Sequence, residues 1–185
     1  MDGLATLFTE RLLLTPLRLE DAQAIQALFP QWEVVRYLDR RVPWPYPPDG
    51  ALSYVREIAL PAIAAGREWH WMIRLRDEDE RIIGSISLYD QAGNNRGFWL
   101  APQWWGQGYM REACRAINAY WFETLSRRVM RVPKAVANKA SRKVSEHEGM
   151  NLVDVRDGDF VAGPMRVEIW EMTRSDWLAR VNPDR

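Results

Sequence analysis

The stretch Leu100-Ala101-Pro102-Gln103-Trp104-Trp105-Gly106-Gln107-Gly108-Tyr109-Met110 joins a strand-like segment to a helical one. Pro102 ends the strand, because it has no N–H to give to a ladder. Gly106 and Gly108 permit backbone conformations closed to other residues and let a ligand approach the main chain. A helix opens directly after Gly108, and its first N–H groups lack partners and carry partial positive charge. Two readings are open: an ordinary glycine-rich helix start, or a cradle for a phosphate or pyrophosphate. No Gly-Lys-Ser/Thr follows, so this is not a Walker-type loop, and the third glycine of a dinucleotide fingerprint is missing.

Working outward from this loop, residues 96–100 and 82–89 read as strands, and residues 68–75 alternate through Trp69, Trp71, Ile73 and Leu75 as a half-buried strand. Asp77-Glu78-Asp79-Glu80 reads as the charged turn between the last two. Upstream, residues 8–17 form a strand, residues 20–29 a short helix, residues 32–38 a second short helix, and residues 51–65 a longer one. The segment Pro43-Trp44-Pro45-Tyr46-Pro47-Pro48 between them excludes regular helix or central strand. Downstream, residues 109–125 form a helix with Cys114, Ile117, Trp121 and Leu125 on one stripe. Residues 129–136 form a strand that Pro133 confines to an edge or a bulge. Residues 138–148 form a helix that Gly149 caps. Residues 152–156 and 165–172 form a hairpin around Asp157-Gly158-Asp159. The order gives an α+β fold with a mixed, mostly antiparallel central sheet flanked by helices.

The 185 residues fit one domain, 1–185, with its core at about 9–177. Lys plus Arg equals Asp plus Glu at 25 each, which argues against a general nucleic-acid binder. With one cysteine, Cys114, no disulfide can form within the chain. The acidic start Met1-Asp2-Gly3-Leu4 lacks a secretory signal pattern, and no apolar run reaches membrane-spanning length. A cytoplasmic protein with no membrane partner is expected. No metal is expected. Several of the ten tryptophans sit beside Gly and Pro, where large aromatics line pockets as well as cores.

Several motifs, in this order and spacing, resemble the GNAT superfamily of N-acetyltransferases, and within it the RimJ/RimL-type branch. They are Thr9-Glu10-Arg11-Leu12-Leu13-Leu14-Thr15-Pro16-Leu17, Glu20-Asp21-Ala22, and Ile82-Ile83-Gly84-Ser85-Ile86-Ser87-Leu88. Gly97-Phe98-Trp99-Leu100-Ala101-Pro102 followed by Trp105-Gly106-Gln107-Gly108-Tyr109-Met110-Arg111-Glu112-Ala113 resembles its acyl-CoA signature, and Asn138-Lys139-Ala140-Ser141 to Gly149-Met150 its second cofactor element. The resemblance implies a GNAT-like sheet splayed at the acyl-CoA site. It implies that the amides of Trp105, Gly106, Gln107, Gly108, Tyr109 and Met110 cradle the pyrophosphate of acetyl-CoA. Backbone groups at Leu100 would pair with the pantetheine arm, and Asn138 and Ser141 would contact its thiol end. From the residues alone, Asn138 reads as a helix N-cap and Ser141 as a first-turn serine.

The implied activity is transfer of an acetyl group from acetyl-CoA to a primary amine, a protein N-terminus or a small-molecule amine, by direct attack on the thioester. The alternatives are a catalytically impaired acyl-CoA sensor, or a transferase of a larger acyl group such as succinyl, which an Arg near the acyl end, such as Arg96, would favour. Two departures touch catalysis. Many relatives carry a Glu before the Gly-aromatic strand, where this chain has Asn94-Asn95-Arg96. Many outside the branch place a Tyr four residues after the Ser141 position, where this chain has Ser145. Asp90 is the nearest substitute base, with Glu168 and His147 as further candidates, and Ser141 a candidate acid toward the leaving thiolate. Each also reads structurally: Asp90 as a turn residue, Glu168 as a solvent-facing strand position, His147 as a helix-end cation. Lacking an obvious base, the chain is expected to favour an α-amine over a lysine side chain, whose higher pKa adds on the order of 3 kcal/mol to deprotonation. Trp44, Tyr46 and Trp99 are the acceptor-side candidates. Homodimers are common in the branch, so the resemblance suggests a dimer.

Overall fold

The computed structural model describes residues 4–76 and 80–181. The expected turn at residues 77–80 therefore lies, apart from Glu80, outside the described residues.

A five-stranded antiparallel sheet runs in the order β1 (Leu7–Phe8), β2 (Leu12–Pro16), β3 (Glu68–Leu75), β4 (Ile82–Tyr89), β5 (Arg96–Leu100). A three-stranded sheet follows in the order β6 (Val129–Ala135), β8 (Gly163–Thr173), β7 (Asn151–Phe160). The two meet at one point. Asn95 N–H donates to the Arg131 carbonyl at 2.7 Å, and Arg131 N–H donates to Asn95 Oδ1 at 2.8 Å. Beyond that junction β5 and β6 have no ladder between them, so the sheet forks.

Helices α1 (Ala22–Leu28), α2 (Trp32–Val35), α3 (Gly50–Tyr54) and α4 (Leu60–Ala64) cover one face. There Leu17, Ile25, Phe29, Val35, Val55, Met72 and Ile82 share a core. Helices α5 (Tyr109–Ala119) and α6 (Lys139–His147) cover the other, with α7 (Arg174–Val181) packed beside them. That second core holds Leu12, Leu14, Trp71, Ile73, Ile86, Leu88, Cys114, Ile117, Phe122 and Val132. Period-two alternation sorts β3 to β6 between these faces. Arg96, Phe98 and Leu100 point toward α5, while Gly97 and Trp99 point toward α1.

Several elements differ from the sequence reading. The first strand is two, because Thr9 closes a turn with its N–H on the Leu12 carbonyl at 3.0 Å. The helix at 51–65 contains one widened turn at Val55–Ala59. Pro61 follows it, and a proline can neither donate an N–H nor pack against the carbonyl four residues back. The closing hairpin turns at Val161-Ala162 and not at Asp157-Gly158-Asp159, which lie within β7. Gly158 is there for space, since a Cβ would sit 2.4 Å from a Val167 methyl across the ladder. The true tip is held by Val161 and Ala162 N–H groups on the carbonyls of Leu38 and Arg36. Pro133 lies on β6, whose β5-facing edge is open, as its missing N–H requires. Gly149 follows α6 at φ +69°. Helix α7 was not anticipated.

Candidate active site

The fork in the sheet and the glycine loop are joined by β5. Tyr89 N–H bonds the Asn95 carbonyl and Ala101 N–H bonds the Ile83 carbonyl, which turns the odd-numbered main-chain groups of β5 toward β4. The N–H and C=O of Phe98 and Leu100 therefore face the gap toward β6. That is an unpaired strand edge inside the molecule, able to accept an extended ligand as an added strand. At Leu100 only the N–H is open, because the Trp105 indole folds back and donates to the Leu100 carbonyl at 2.7 Å. Phe98, not singled out from sequence, offers both groups.

Past Leu100 the chain turns through Pro102–Trp104 and reaches Gly106 at φ +75° and Gly108 at φ +83°, both in the left-handed region that favours glycine. Gly108 then caps α5. The Trp105 amide is spent on the Pro102 carbonyl at 3.1 Å, so it does not join a cradle. The N–H groups of Gly106, Gln107, Gly108, Tyr109 and Met110 have no acceptor among the described residues. Five successive open donors at the positive end of an eleven-residue helix suit a pyrophosphate.

Arg11, from the turn before β2, braces this loop across the fold. Its guanidinium donates to the Gln107 carbonyl at 3.0 Å and to Glu112 Oε2 at 2.7 Å, and lies 4.6 Å from the Tyr109 ring centroid. Glu112 also accepts from Thr9 Oγ1 at 2.6 Å and Arg11 N–H at 2.7 Å. Burial opposes the Glu112 charge, but those donors hold its carboxyl below the ordinary range. Neither residue was picked from sequence. The pair Arg-Leu-Leu-Leu at the start of a strand and Glu four residues after Gly108 carries no local sign that the two meet.

At the closed end of the fork, the α5-facing side holds a buried polar cluster. Arg96 is bidentate to Glu148, at 2.8 and 2.7 Å, and donates to Asn118 Oδ1 at 2.5 Å. Burial works against the Arg96 charge, yet Cys114 and Glu148 beside it raise its pKa. Arg96 is enclosed, with its two terminal nitrogens on Glu148 and Asn118, while its Nε has no partner among the described residues. Asn138 Oδ1 accepts from Ser141 N–H at 3.1 Å, which is an N-cap of α6. Ser145, one turn beyond Ser141, is wholly buried and its hydroxyl finds no partner among the described residues.

The candidate bases from sequence lie elsewhere. Asp90 sits beyond the closed end of the fork, half-exposed, and is tied to Arg127 at 2.8 Å, because β4 continues past the β5 junction before the chain turns. Glu168 is not solvent-facing. It is buried under α6 and accepts from Arg142 at 2.6 Å and the Trp170 indole at 3.0 Å. His147 is exposed on α6 with its ring on the Lys143 carbonyl.

The α1-facing side of the fork carries a different set. Trp99 and Tyr46 each meet Phe29 edge-on, at 5.3 Å between ring centroids. Trp44 stands apart, exposed and tilted against Trp32 at 5.5 Å. Tyr89 lies directly over Gly97, where a Cβ would sit 2.9 Å from its hydroxyl. Behind it, Ser87 Oγ bonds His70 Nδ1 at 2.9 Å, and His70 Nε2 bonds Glu68 at 2.6 Å. Burial pushes the Tyr89 hydroxyl up to about 12 and raises those of Tyr46 and Tyr54. Alternation in two strands, with side chains read in pairs across the ladder, was the signal that could have found this row.

Among the described residues, no group of three or more His, Cys, Asp or Glu could hold a metal, and no helix is long and apolar enough to cross a membrane.

Comparison with known proteins accords with this geometry. The family model described as acetyltransferase (GNAT) domain matches residues 11–151. YdaF of Bacillus subtilis, provisionally named a ribosomal N-acetyltransferase, is 36% identical over 90 residues, which are 46% of this chain and 49% of that protein. The FsC-acetyl coenzyme A-N(2)-transacetylase of Aspergillus fumigatus is 32% identical over 91 residues, 47% of this chain and 39% of that protein. The chain spans about half the length, or less, of these curated relatives. Among solved structures, RimL, the ribosomal L7/L12 alpha-N-protein acetyltransferase in complex with coenzyme A, superposes with TM-score 0.78 at 16% identity, covering 93% of this chain and 99% of that one. The ribosomal-protein-S5-alanine acetyltransferase of Vibrio fischeri gives TM-score 0.79 at 15% identity, covering 94% and 98%. At these identities the likeness speaks to fold; the sequence match to YdaF is in keeping with the RimJ/RimL-type branch.

Proposed function

Because this chain belongs to the acetyltransferase (GNAT) family, we propose that it transfers an acetyl group from acetyl-CoA to a primary amine, by direct attack of the amine on the thioester. The observation that carries this reading is the pairing of two open backbone surfaces on one segment. Gly106 to Met110 offer five free N–H groups, and Phe98 and Leu100 offer an unpaired strand edge leading from them into the fork. A pyrophosphate followed by an extended, amide-bearing arm matches both, in that order.

The pyrophosphate rests on the glycine loop, whose shape Arg11 and Glu112 fix from β2 and α5. The pantetheine arm pairs with Phe98 and with the Leu100 N–H, and pairs with the Leu100 carbonyl once the Trp105 indole moves off it. Ser141 contacts the thiol end from the first turn of α6. Asn138 shapes that turn as its cap. The amine approaches from the α1-facing side, between Trp99, Tyr46 and the Tyr89–Gly97 contact. Tyr46 and Trp99 are the acceptor residues of choice; Trp44 is a rim residue. The acceptor is a protein N-terminus or a small-molecule amine, with α-amines favoured over lysine side chains by their lower pKa. The single cysteine, Cys114, is wholly buried, which suits a reducing cytoplasmic compartment, and the working assembly is a homodimer.

A free-thiol release assay with acetyl-CoA and a panel of peptides with free N-termini, polyamines, aminoglycosides and amino-acid analogues tests the function. Release with one amine class, lost in Gly106→Val, is the expected result. Tight acetyl-CoA binding without release across the panel would overturn transfer and leave an acyl-CoA sensor.

A further inference from the structure

A lysine is buried beside the fork with no ion pair of its own among the described residues. Lys134 lies on β6 three residues past the Asn95–Arg131 junction, and is 6% exposed. Its Nζ stands 4.3 Å over the ring of Phe98, the β5 residue at the same level on the other arm of the fork. No ion pair or hydrogen bond reaches it from the described residues. The charged and titratable groups facing it are Arg96 from β5, Cys114 from α5 and Glu148 at the end of α6, with Glu168 opposite on β8. Glu148 is bound to Arg96 and Asn118, and Glu168 to Arg142 and Trp170, so each carboxylate is already engaged. The pocket thus holds Arg96 and Lys134 against the one Glu148 charge. Burial, with Arg96 adding repulsion, brings the Lys134 ammonium down to about 8. The hydroxyl of Ser145, on the helix that follows β6, and Arg96 Nε are buried with no partner among the described residues. Unpaired buried polar groups are costly, and a protein keeps them where they act on something that arrives later.

We propose that Lys134 is the catalytic acid of this transferase, holding a proton at the inner end of the fork for the sulfur that leaves when the thioester breaks. The proposal rests on the reading of the fork as the pantetheine site. As the amine nitrogen bonds to the carbonyl carbon, the carbon–sulfur bond breaks and its electron pair leaves on sulfur. Lys134 gives that sulfur a proton, yielding the free thiol and a neutral lysine. The proton shed by the attacking nitrogen reaches solvent, and solvent recharges Lys134 for the next turn. A cation in a poorly solvated pocket stabilises an arriving anion far more than one in water. An ammonium that titrates near neutrality both donates and recovers its proton readily. Ser145, which occupies the helix position of a tyrosine in many relatives, is too short and too enclosed for that duty.

The test is the ionisation of the thiol of free CoA bound to the full-length protein, followed by ultraviolet thiolate absorbance against pH, in wild type, Lys134→Met and Lys134→Arg. In wild type the bound thiol should ionise at lower pH than CoA in solution. In Lys134→Met that shift should vanish, cutting the thiolate fraction at a given pH on the order of tenfold, one pKa unit, while CoA binding through the glycine loop persists. Lys134→Arg should keep the thiolate shift, since the charge remains, yet lose kcat, since arginine does not give up its proton. A bound thiol that ionises identically in wild type and Lys134→Met overturns the assignment of Lys134 and leaves the transferase reading standing. Failure of wild type to bind CoA at all overturns the reading of the fork.

Discussion

Replacing Lys134 by Met should stabilise the protein while impairing it. The two side chains have similar length and volume, so the swap removes charge and little packing. In the unfolded chain a lysine titrates near 10.5, and in the fold near 8. A difference of this size, at 1.36 kcal/mol per unit, destabilises the folded state by about 3 kcal/mol whenever the lysine is charged in both states. Loss of the contact with the Phe98 ring returns about 1 kcal/mol of that. The net gain at pH 6 is about 2 kcal/mol, or roughly 4–8 °C in Tm for a domain of this size. The pH dependence carries the sign. Between about 8 and 10.5 the unfolded chain binds the proton and the folded one does not, so wild-type stability rises with pH across that window relative to the variant. The advantage of Lys134→Met should therefore be full below pH 8 and decline toward pH 10.5. Thermal and urea unfolding of both proteins at pH 6, 8 and 10 measures it. A variant less stable than wild type at pH 6, or a difference that ignores pH, would refute the claim that Lys134 is an uncompensated buried cation.

Gly106→Ala should cost about 1–2 kcal/mol of backbone strain at its positive φ and weaken CoA binding in calorimetric titration, although a Cβ there meets nothing within 4 Å. Glu112→Gln should destabilise the protein by about 1–3 kcal/mol at pH 7 in urea, because Thr9 and Arg11 lose a charged acceptor. Its folded pKa lies below the unfolded one, so this contribution is present above the unfolded value and fades as pH falls through the folded one; the variant and wild type should converge in acid. Trp99→Leu should raise KM for the amine in steady-state kinetics while the CoA dissociation constant, measured separately, stays unchanged, since Trp99 points away from the α5-facing side of β5.

The elements nearest the glycine loop were the most legible, because short-range chemistry fixes them. Pro102 stops β5, Gly106 and Gly108 take the left-handed turns, Asn138 caps α6, and Gly149 ends it. In the closing hairpin, Asp157-Gly158-Asp159 has the composition of a turn yet lies within β7. Its conformation is decided by Val167 across the ladder and by the docking of Val161 on Leu38. Asp90 is the nearest carboxylate by position along the chain, while in space it lies on Arg127 at 2.8 Å. Glu168 looked like an outward strand position until α6 covered that face and supplied Arg142.

The sequence by itself determined most of the strands and helices and the glycine-turn start of α5 at residues 106–108. Each of these depends on residues within a few positions of one another, where backbone conformation answers to local steric and capping preferences. Only the tertiary structure decided which polar side chains are spent and which are free. Arg11 meets Glu112, and Arg96 meets Glu148, across sheet and helix from distant parts of the chain. Lys134 is left without a partner because the carboxylates around it are taken by others. Pairing of buried charges is a property of the whole packed arrangement, and no window of sequence contains it.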